Sequence, residues 1–273
     1  MMNREVTVIK LGGSLLTDKT KPYTYRKEVL ENSAREIKEC MDEGLIDHLV
    51  LLHGVGSYGH PPVLKHKLHK GFQGEEQLLP LSETQEAVGE FRHIIVKQFQ
   101  KAGIPVCLMY PSSMMKSDGM QISGMYLDSL KGFMSVGMVP LLGGDILIDS
   151  AMGWSIGSGD QMAVLLATEL KAKHLIFISD VKGIYDTDPK VNPDAHLLEQ
   201  IDLNDLDTFF ESMGKSGVVD ASGAMKGKLK SIEPVKSQIK NGMEVALLSL
   251  MEPGTLKGFL RRDNVPVTRI VVS

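Results

Sequence analysis

Lysines and a histidine set beside clustered glycines are the residues of this chain best suited to chemistry, and the chemistry they suit is the handling of phosphate. The stretch 49 to 60, LVLLHGVGSYGH, is an apolar run, Leu49-Val50-Leu51-Leu52, that stops at His53. Gly54, Gly56 and Gly59 follow, with Val55 and Ser57 between them and His60 at the end. A short apolar run reads as a buried strand. Glycines directly after it let the backbone turn sharply and approach a ligand. N–H groups exposed at such a turn, next to a helix start, form a nest for an anion. His60 places an imidazole where that anion would lie. Taken alone, the segment also reads as a plain strand-to-helix turn with a surface histidine.

Other strand exits repeat the device. In IKLGGSLLTDK, Gly12, Gly13 and Ser14 leave a strand between two mobile cations, Lys10 and Lys19. Gly143-Gly144-Asp145 closes another apolar strand, and Gly157-Ser158-Gly159-Asp160 precedes a helix in which Asp160 is a first-turn acid or a cap. Asp180 to Pro189 leaves a strand with Gly183, Tyr185 and Asp188, which suits a nucleotide-base platform or a solvent hairpin. DASGAMKGK, 220 to 228, opens a helix with Gly223 and Lys228. No P-loop pattern occurs, and GGS lacks the spaced glycines of a dinucleotide fingerprint.

The elements that must position these loops alternate. Strands are predicted at 6–11, 49–52, 104–109, 136–142, 174–179, 244–249 and 267–272, and helices at 25–43, 82–102, 126–135, 161–170, 202–212 and 229–241. Gly44 and Gly103 are expected to close the first two helices. The basic stretch 61–80 reads as a loop, and 111–120 as turn-rich. Such alternation predicts an α/β fold, an open αβα sandwich on a central, mainly parallel sheet.

The 273 residues, 42% hydrophobic and 23% charged, allow one large domain or two lobes, and the net charge of -4 argues against nucleic acid. No apolar stretch is long enough to span a bilayer, and the start runs into a strand pattern without a signal peptide, so no membrane partner is expected. The widely spaced Cys40 and Cys107 suit a reducing cytoplasm.

In this order, IKLGGSLLTDK, HGVGSYGH, the GGD at 143–145, SGDQ at 158–161, SDVKGIYDTDP at 179–189 and SGAMKGK at 222–228 resemble the amino acid kinase superfamily over nearly the whole chain. Within it, GSYGH and the LLTDK lysine look like the isopentenyl phosphate kinase branch. The resemblance implies a single domain, 1–273, with a substrate lobe at about 1–172 and a nucleotide lobe at about 173–273. It implies ATP-dependent phosphorylation of isopentenyl phosphate, a homodimer, and Mg2+ carried by ATP with no protein ligand.

Carried over, Lys10 bridges the two phosphates, and Gly12, Gly13, Gly54, Val55 and Gly56 supply backbone contacts. Ser14 and Gly223 join the nucleotide set, and Gly59 and Gly159 the substrate set. Lys19 and Lys228 meet nucleotide phosphates, and His60 binds the substrate phosphate. Asp145 holds Lys10 and the loops, and Asp160 lies near the substrate loops. Asp180, Gly183, Tyr185, Asp188 and Pro189 surround the nucleotide. Val55 and Ala224 stand where the family favours glycine, and fosfomycin kinase, which shares the GAM-type loop, is the rival reading, along with other small phosphate or phosphonate kinases. The substrate's apolar tail is expected against helix 82–102 or the Met-rich stretch 109–125. Two further readings remain. One is a relative acting on a carboxylate or a nucleoside monophosphate; His60 and Lys19 argue against the carboxylates. The other is a non-catalytic nucleotide-binding regulator, against which Lys10, Asp145 and Lys228 speak.

Overall fold

A computed structural model describes residues 5–18, 20–189, 191–215 and 224–273. The chain runs β1 (Val6–Leu11), α1 (Gly13–Leu16), α2 (Lys27–Asp42), β2 (His48–His53), α3 (Gly56–Lys65), α4 (Leu78–Lys101), β3 (Val106–Leu108), β4 (Met115–Asp118) and β5 (Gln121–Met125). It continues through α5 (Asp128–Ser135), β6 (Val139–Gly143), β7 (Asp145–Asp149), β8 (Gly153–Gly157), α6 (Gly159–Glu169), β9 (His174–Ser179), β10 (Ile184–Tyr185), β11 (Leu197–Leu198) and β12 (Gln200–Asp202). Last come α7 (Leu206–Lys215), α8 (Ala224–Ile232), α9 (Lys236–Lys240), β13 (Glu244–Ser249), α10 (Thr255–Arg261) and β14 (Thr268–Val271).

Eight strands form the main sheet in the order β12-β14-β13-β9-β1-β2-β6-β3. β13 and β14 are antiparallel and the other neighbours parallel. The chain leaves β1 for β2 on one side and reaches β9 on the other, so β1 is a topological switch point, where open α/β sheets bind ligands. Alternate residues of the central strands enter two buried layers. Val8, Val50, Leu52 and Phe177 pack with Met162, Leu166 and Leu229 of the α6/α8 face. Ile9, Leu51, Ile176 and Ile178 pack with Ile37, Phe91 and Phe259 of the α2/α4/α10 face. Burial on both faces makes these strands continuous apolar runs.

A smaller sheet, β5-β4-β7-β8, rises from the end of β6. The stretch 111–120, expected to be turns, supplies its β4–β5 hairpin, whose Gly119 and Met120 both have positive φ, as a tight hairpin turn requires. The stretch 61–80, expected to be a loop, is also ordered: α3 continues through Pro61 and Pro62 to Lys65, and α4 starts at Leu78 rather than Ser82. Pro61 cannot donate to the carbonyl of Ser57; the N–H of Tyr23 takes that carbonyl at 3.4 Å. The last expected helix, 229–241, instead begins at Ala224 and is interrupted by a 3-10 turn at Glu233–Val235 containing Pro234. Gly44 and Gly103 follow α2 and α4 with positive φ, as expected of left-handed caps.

Candidate active site

One cavity of about 580 Å³ opens at the carboxyl ends of β1, β2, β6 and β9. Every described residue to which the resemblance assigned a site role lines it: Lys10, Gly12, Gly13 and Ser14 from the β1 exit, and Gly54, Val55, Gly56, Gly59 and His60 from the β2 exit. Asp145, Gly159 and Asp160 form the middle, and Asp180, Gly183, Tyr185, Asp188, Pro189 and Lys228 the opposite end. Lys19 and Gly223 lie outside the described residues.

Strand parity sets the centre. Lys10 falls on the same face of β1 as Val8, toward α6, and α6 begins at this level with Ser158 as its cap. Asp160, in the first turn of α6, therefore meets Lys10: Oδ1 lies 2.6 Å from the Lys10 ammonium. Its other oxygen accepts from Lys228 Nζ at 3.0 Å. Lys228 also stands over the Phe177 ring at 5.0 Å. Burial alone would raise the Asp160 pKa, but the two lysines outweigh it and hold the carboxyl well below its usual range. Burial, then the charge of Lys10, lowers Lys228 to about 8 against the opposing pull of Asp160. The resemblance assigned the holding of Lys10 to Asp145. In the structure that ion partner is Asp160, and Asp145 lines the same cavity with Arg92 as its ion partner.

The glycines are needed first for the chain's own packing. A Cβ on Gly13 would come within 2.6 Å of Gly56 N, and one on Gly54 within 2.5 Å of Gly13 N, so the two strand exits interlock backbone to backbone. Two expected phosphate donors are committed: Gly12 N–H donates to Ile178 O and Gly54 N–H to Leu11 O. Val55 and Gly56, at the cap and first position of α3, precede the helix's own hydrogen-bond ladder. Val55 has φ -79, ordinary backbone for a side-chain-bearing residue. Its side chain fits against Gly59 and Gly144.

Beneath this floor lies a polar cluster that the sequence reading missed. Arg92 is 1% exposed. Its Nε donates to His53 Nε2 at 3.1 Å and its Nη2 to Gly144 O at 3.1 Å, while Nη1 stands 3.7 Å from Asp145 Oδ2. With Nε2 accepting, His53 is neutral and donates Nδ1–H to Gly54 O at 3.2 Å. Burial, then Arg92, pushes its pKa down to about 3. Asp145 accepts from Ser112 N and Ile146 N. A signal existed, because Arg92 sits in the apolar stripe of α4 with Val88, Phe91, Ile95 and Phe99.

The two ends of the cavity differ. Beyond His60 the wall is apolar: Val63 of α3, Val88 of α4, Ile146 of β7 and Ile156 of β8. Ile146 and Ile156 are backed by Leu68 and Trp154. Of the two regions expected near an apolar tail, α4 reaches the cavity through Thr84, Gln85 and Val88. The Met-rich stretch does not line it; Met109 and Met115 are buried in the core behind β6. At the other end Val181, Ile184, Thr187 and Ser231 join the predicted β9–β10 residues. The site thus offers an anion-binding centre between an apolar compartment and a second, mixed compartment.

The sequence model of the amino acid kinase family matches residues 5–247. Isopentenyl phosphate kinase from Methanothermobacter thermautotrophicus is 30% identical over 271 residues, covering 96% of this chain and 98% of that protein. The enzyme of that name from Methanocaldococcus jannaschii is 32% identical, covering 85% and 88%. Solved isopentenyl phosphate kinase structures superpose with a TM-score of 0.80 at 27% identity over 97% of this chain and 100% of the other, and a substrate complex with 0.79 at 25% over 97% and 99%. UMP kinase from Ureaplasma parvum shares the fold, with a TM-score of 0.65 at 15% identity over 99% and 100%.

Proposed function

This chain belongs to the amino acid kinase family, and on that premise we propose that it transfers the γ-phosphoryl group of ATP to isopentenyl phosphate, giving isopentenyl diphosphate. The observation that carries the reading is the Lys10–Asp160–Lys228 ion cluster set between an apolar compartment and the β9–β10 loops. It is supported by relatives of that name aligned over 85% and 96% of the chain.

Two phosphates must approach in line. Each pair of unit charges a few ångströms apart repels by about 4 kcal/mol at an effective dielectric near 20, so cations and N–H dipoles must offset that repulsion at the point of transfer. Lys10 takes the bridging position and Lys228 the nucleotide side. Lys19 and Gly223 join them there by resemblance. Val55, Gly56 and His60 hold the acceptor phosphate, and the five-carbon tail lies against Val63, Val88, Ile146 and Ile156. A phosphate monoester oxygen is already anionic near neutral pH, so no general base is assigned, and His60 binds and orients. The donor is MgATP, whose cation arrives on the phosphates.

In this reading residues up to about 172 form the acceptor lobe and those from about 173 the nucleotide lobe. The enzyme works as a homodimer in the cytoplasm and supplies isoprenoid synthesis by the mevalonate route. The direct test is phosphorus NMR of a reaction with MgATP and isopentenyl phosphate. A coupled pair of diphosphate resonances growing as the monophosphate signal falls is expected; an unchanged monophosphate signal overturns the reading.

A further inference from the structure

We propose that Arg92 is a positioning residue for the acceptor phosphate: it cancels the charge of Asp145 in the cavity wall and ties the β2 exit to the β6–β7 turn. The inference rests on the acceptor assignment made above. Asp145 lines the middle of the cavity, next in the chain to Ile146 of the apolar acceptor wall and one residue after Gly144, which packs on Val55. An ionised carboxylate there opposes an incoming dianion. Arg92 Nη1, 3.7 Å from Asp145 Oδ2, is its ion-pair partner among the described residues. The same guanidinium grips both turns, through His53 Nε2 on one side and Gly144 O on the other. His53 passes this hold to the carbonyl of Gly54, and Gly144 N donates back to His53 O at 3.1 Å. Because Arg92 is buried beneath the floor rather than lining it, its effect on the acceptor runs through Asp145 and the two turns. The fork-shaped guanidinium suits three separate partners in a way that a point-charge ammonium does not.

Charge cancellation and plain structural support make different kinetic predictions. With wild-type turnover of isopentenyl phosphate as the reference, R92M exposes the acceptor to an uncancelled carboxylate. It is expected to raise the acceptor KM about tenfold or more while the KM for MgATP moves less than about threefold. Adding D145N removes that carboxylate, so the double variant R92M/D145N is expected to recover most of the loss, a coupling that a double-mutant cycle reads directly. R92K keeps the charge and is expected to stay within about threefold of wild type in acceptor KM, with the penalty falling on kcat because the turns are less well held. If R92M does not fold, D145N alone carries the test: leaving Arg92 uncancelled, it is expected to lower the acceptor KM. Equal KM increases in R92K and R92M, a double variant as impaired as R92M, or an acceptor KM unchanged or raised in D145N would each overturn the proposal. A wild-type protein inactive on isopentenyl phosphate would instead overturn the acceptor assignment beneath it.

Discussion

Lys10 and Asp160, 150 residues apart in the chain, meet at 2.6 Å because strand parity turns Lys10 toward the helix whose first turn carries Asp160. The same carboxylate binds Lys228. It keeps two buried ammonium groups together before any phosphate arrives, which is the preorganisation that electrostatic catalysis needs. In D160N the lysines repel without a counterion. The variant is expected to lose about a hundredfold in kcat. Its melting temperature should also rise more on adding MgATP than that of wild type, since the nucleotide phosphates then replace the missing carboxylate. Thermal scans with and without nucleotide read both effects; a nucleotide shift equal to or smaller than that of wild type contradicts the role given to Asp160.

If Lys228 meets the nucleotide phosphates as proposed, it is expected to set a pH limit on nucleotide binding. Its pKa is lowered to about 8 by burial and by Lys10, so it is cationic at neutral pH and loses its proton as pH rises through 8. Anion binding needs the cation, so the MgATP dissociation constant is expected to rise up to about tenfold per pH unit above that point. Calorimetric titrations between pH 7 and 9.5 measure this. K228R, charged throughout, should flatten the profile, and an unchanged slope in K228R would assign the dependence to another group.

His53 makes the fold sensitive to acid. Its folded pKa of about 3 lies below the unfolded value near 6.5. Between those values the unfolded chain binds a proton that the native state refuses, so stability rises with pH through the window and falls as pH drops. Relative to H53Q, the wild type should lose about 1 kcal/mol per pH unit from pH 6 to pH 4 in urea unfolding. Parallel curves for the two proteins would show that His53 does not titrate in this way.

His60 is assigned a binding role rather than that of a base. H60A should raise the acceptor KM by about tenfold or more and lower kcat by a smaller factor, because a lost hydrogen bond to an ionised group is worth about 1.5–3 kcal/mol. A pH–rate profile of the same shape in H60A and wild type is expected. Loss of one limb would make the imidazole a proton carrier.

The strand exits were legible in the sequence because glycine clusters after short apolar runs carry a local backbone requirement, and residues from each of the described clusters chosen on that signal line one cavity. The reason for those glycines was only partly legible: Gly13, Gly54 and Gly56 serve the interlock of two loops as well as any ligand. What stayed hidden depended on partners distant in the chain. Which carboxylate meets Lys10 follows from strand parity together with the placement of α6 over β1. The end of α3 read as part of a loop on the basic character of 61–80; Pro61 also removes a local helix donor, and the compensating N–H comes from Tyr23. Arg92 was readable as a charge interrupting the apolar stripe of α4, but its acceptors, His53 and Gly144, come from two other elements. The methionines of 109–125 could have lined a pocket or filled the core by composition; Met109 and Met115 are in the core.

The central claim is the identity of the acceptor, and kcat/KM with MgATP measured side by side for isopentenyl phosphate, dimethylallyl phosphate, fosfomycin and uridine monophosphate tests it most directly. The apolar wall of Val63, Val88, Ile146 and Ile156 next to His60 predicts that the two prenyl phosphates exceed the others by about a hundredfold or more. Fosfomycin or uridine monophosphate turned over as well as isopentenyl phosphate, or ATP bound with no acceptor phosphorylated, would contradict it.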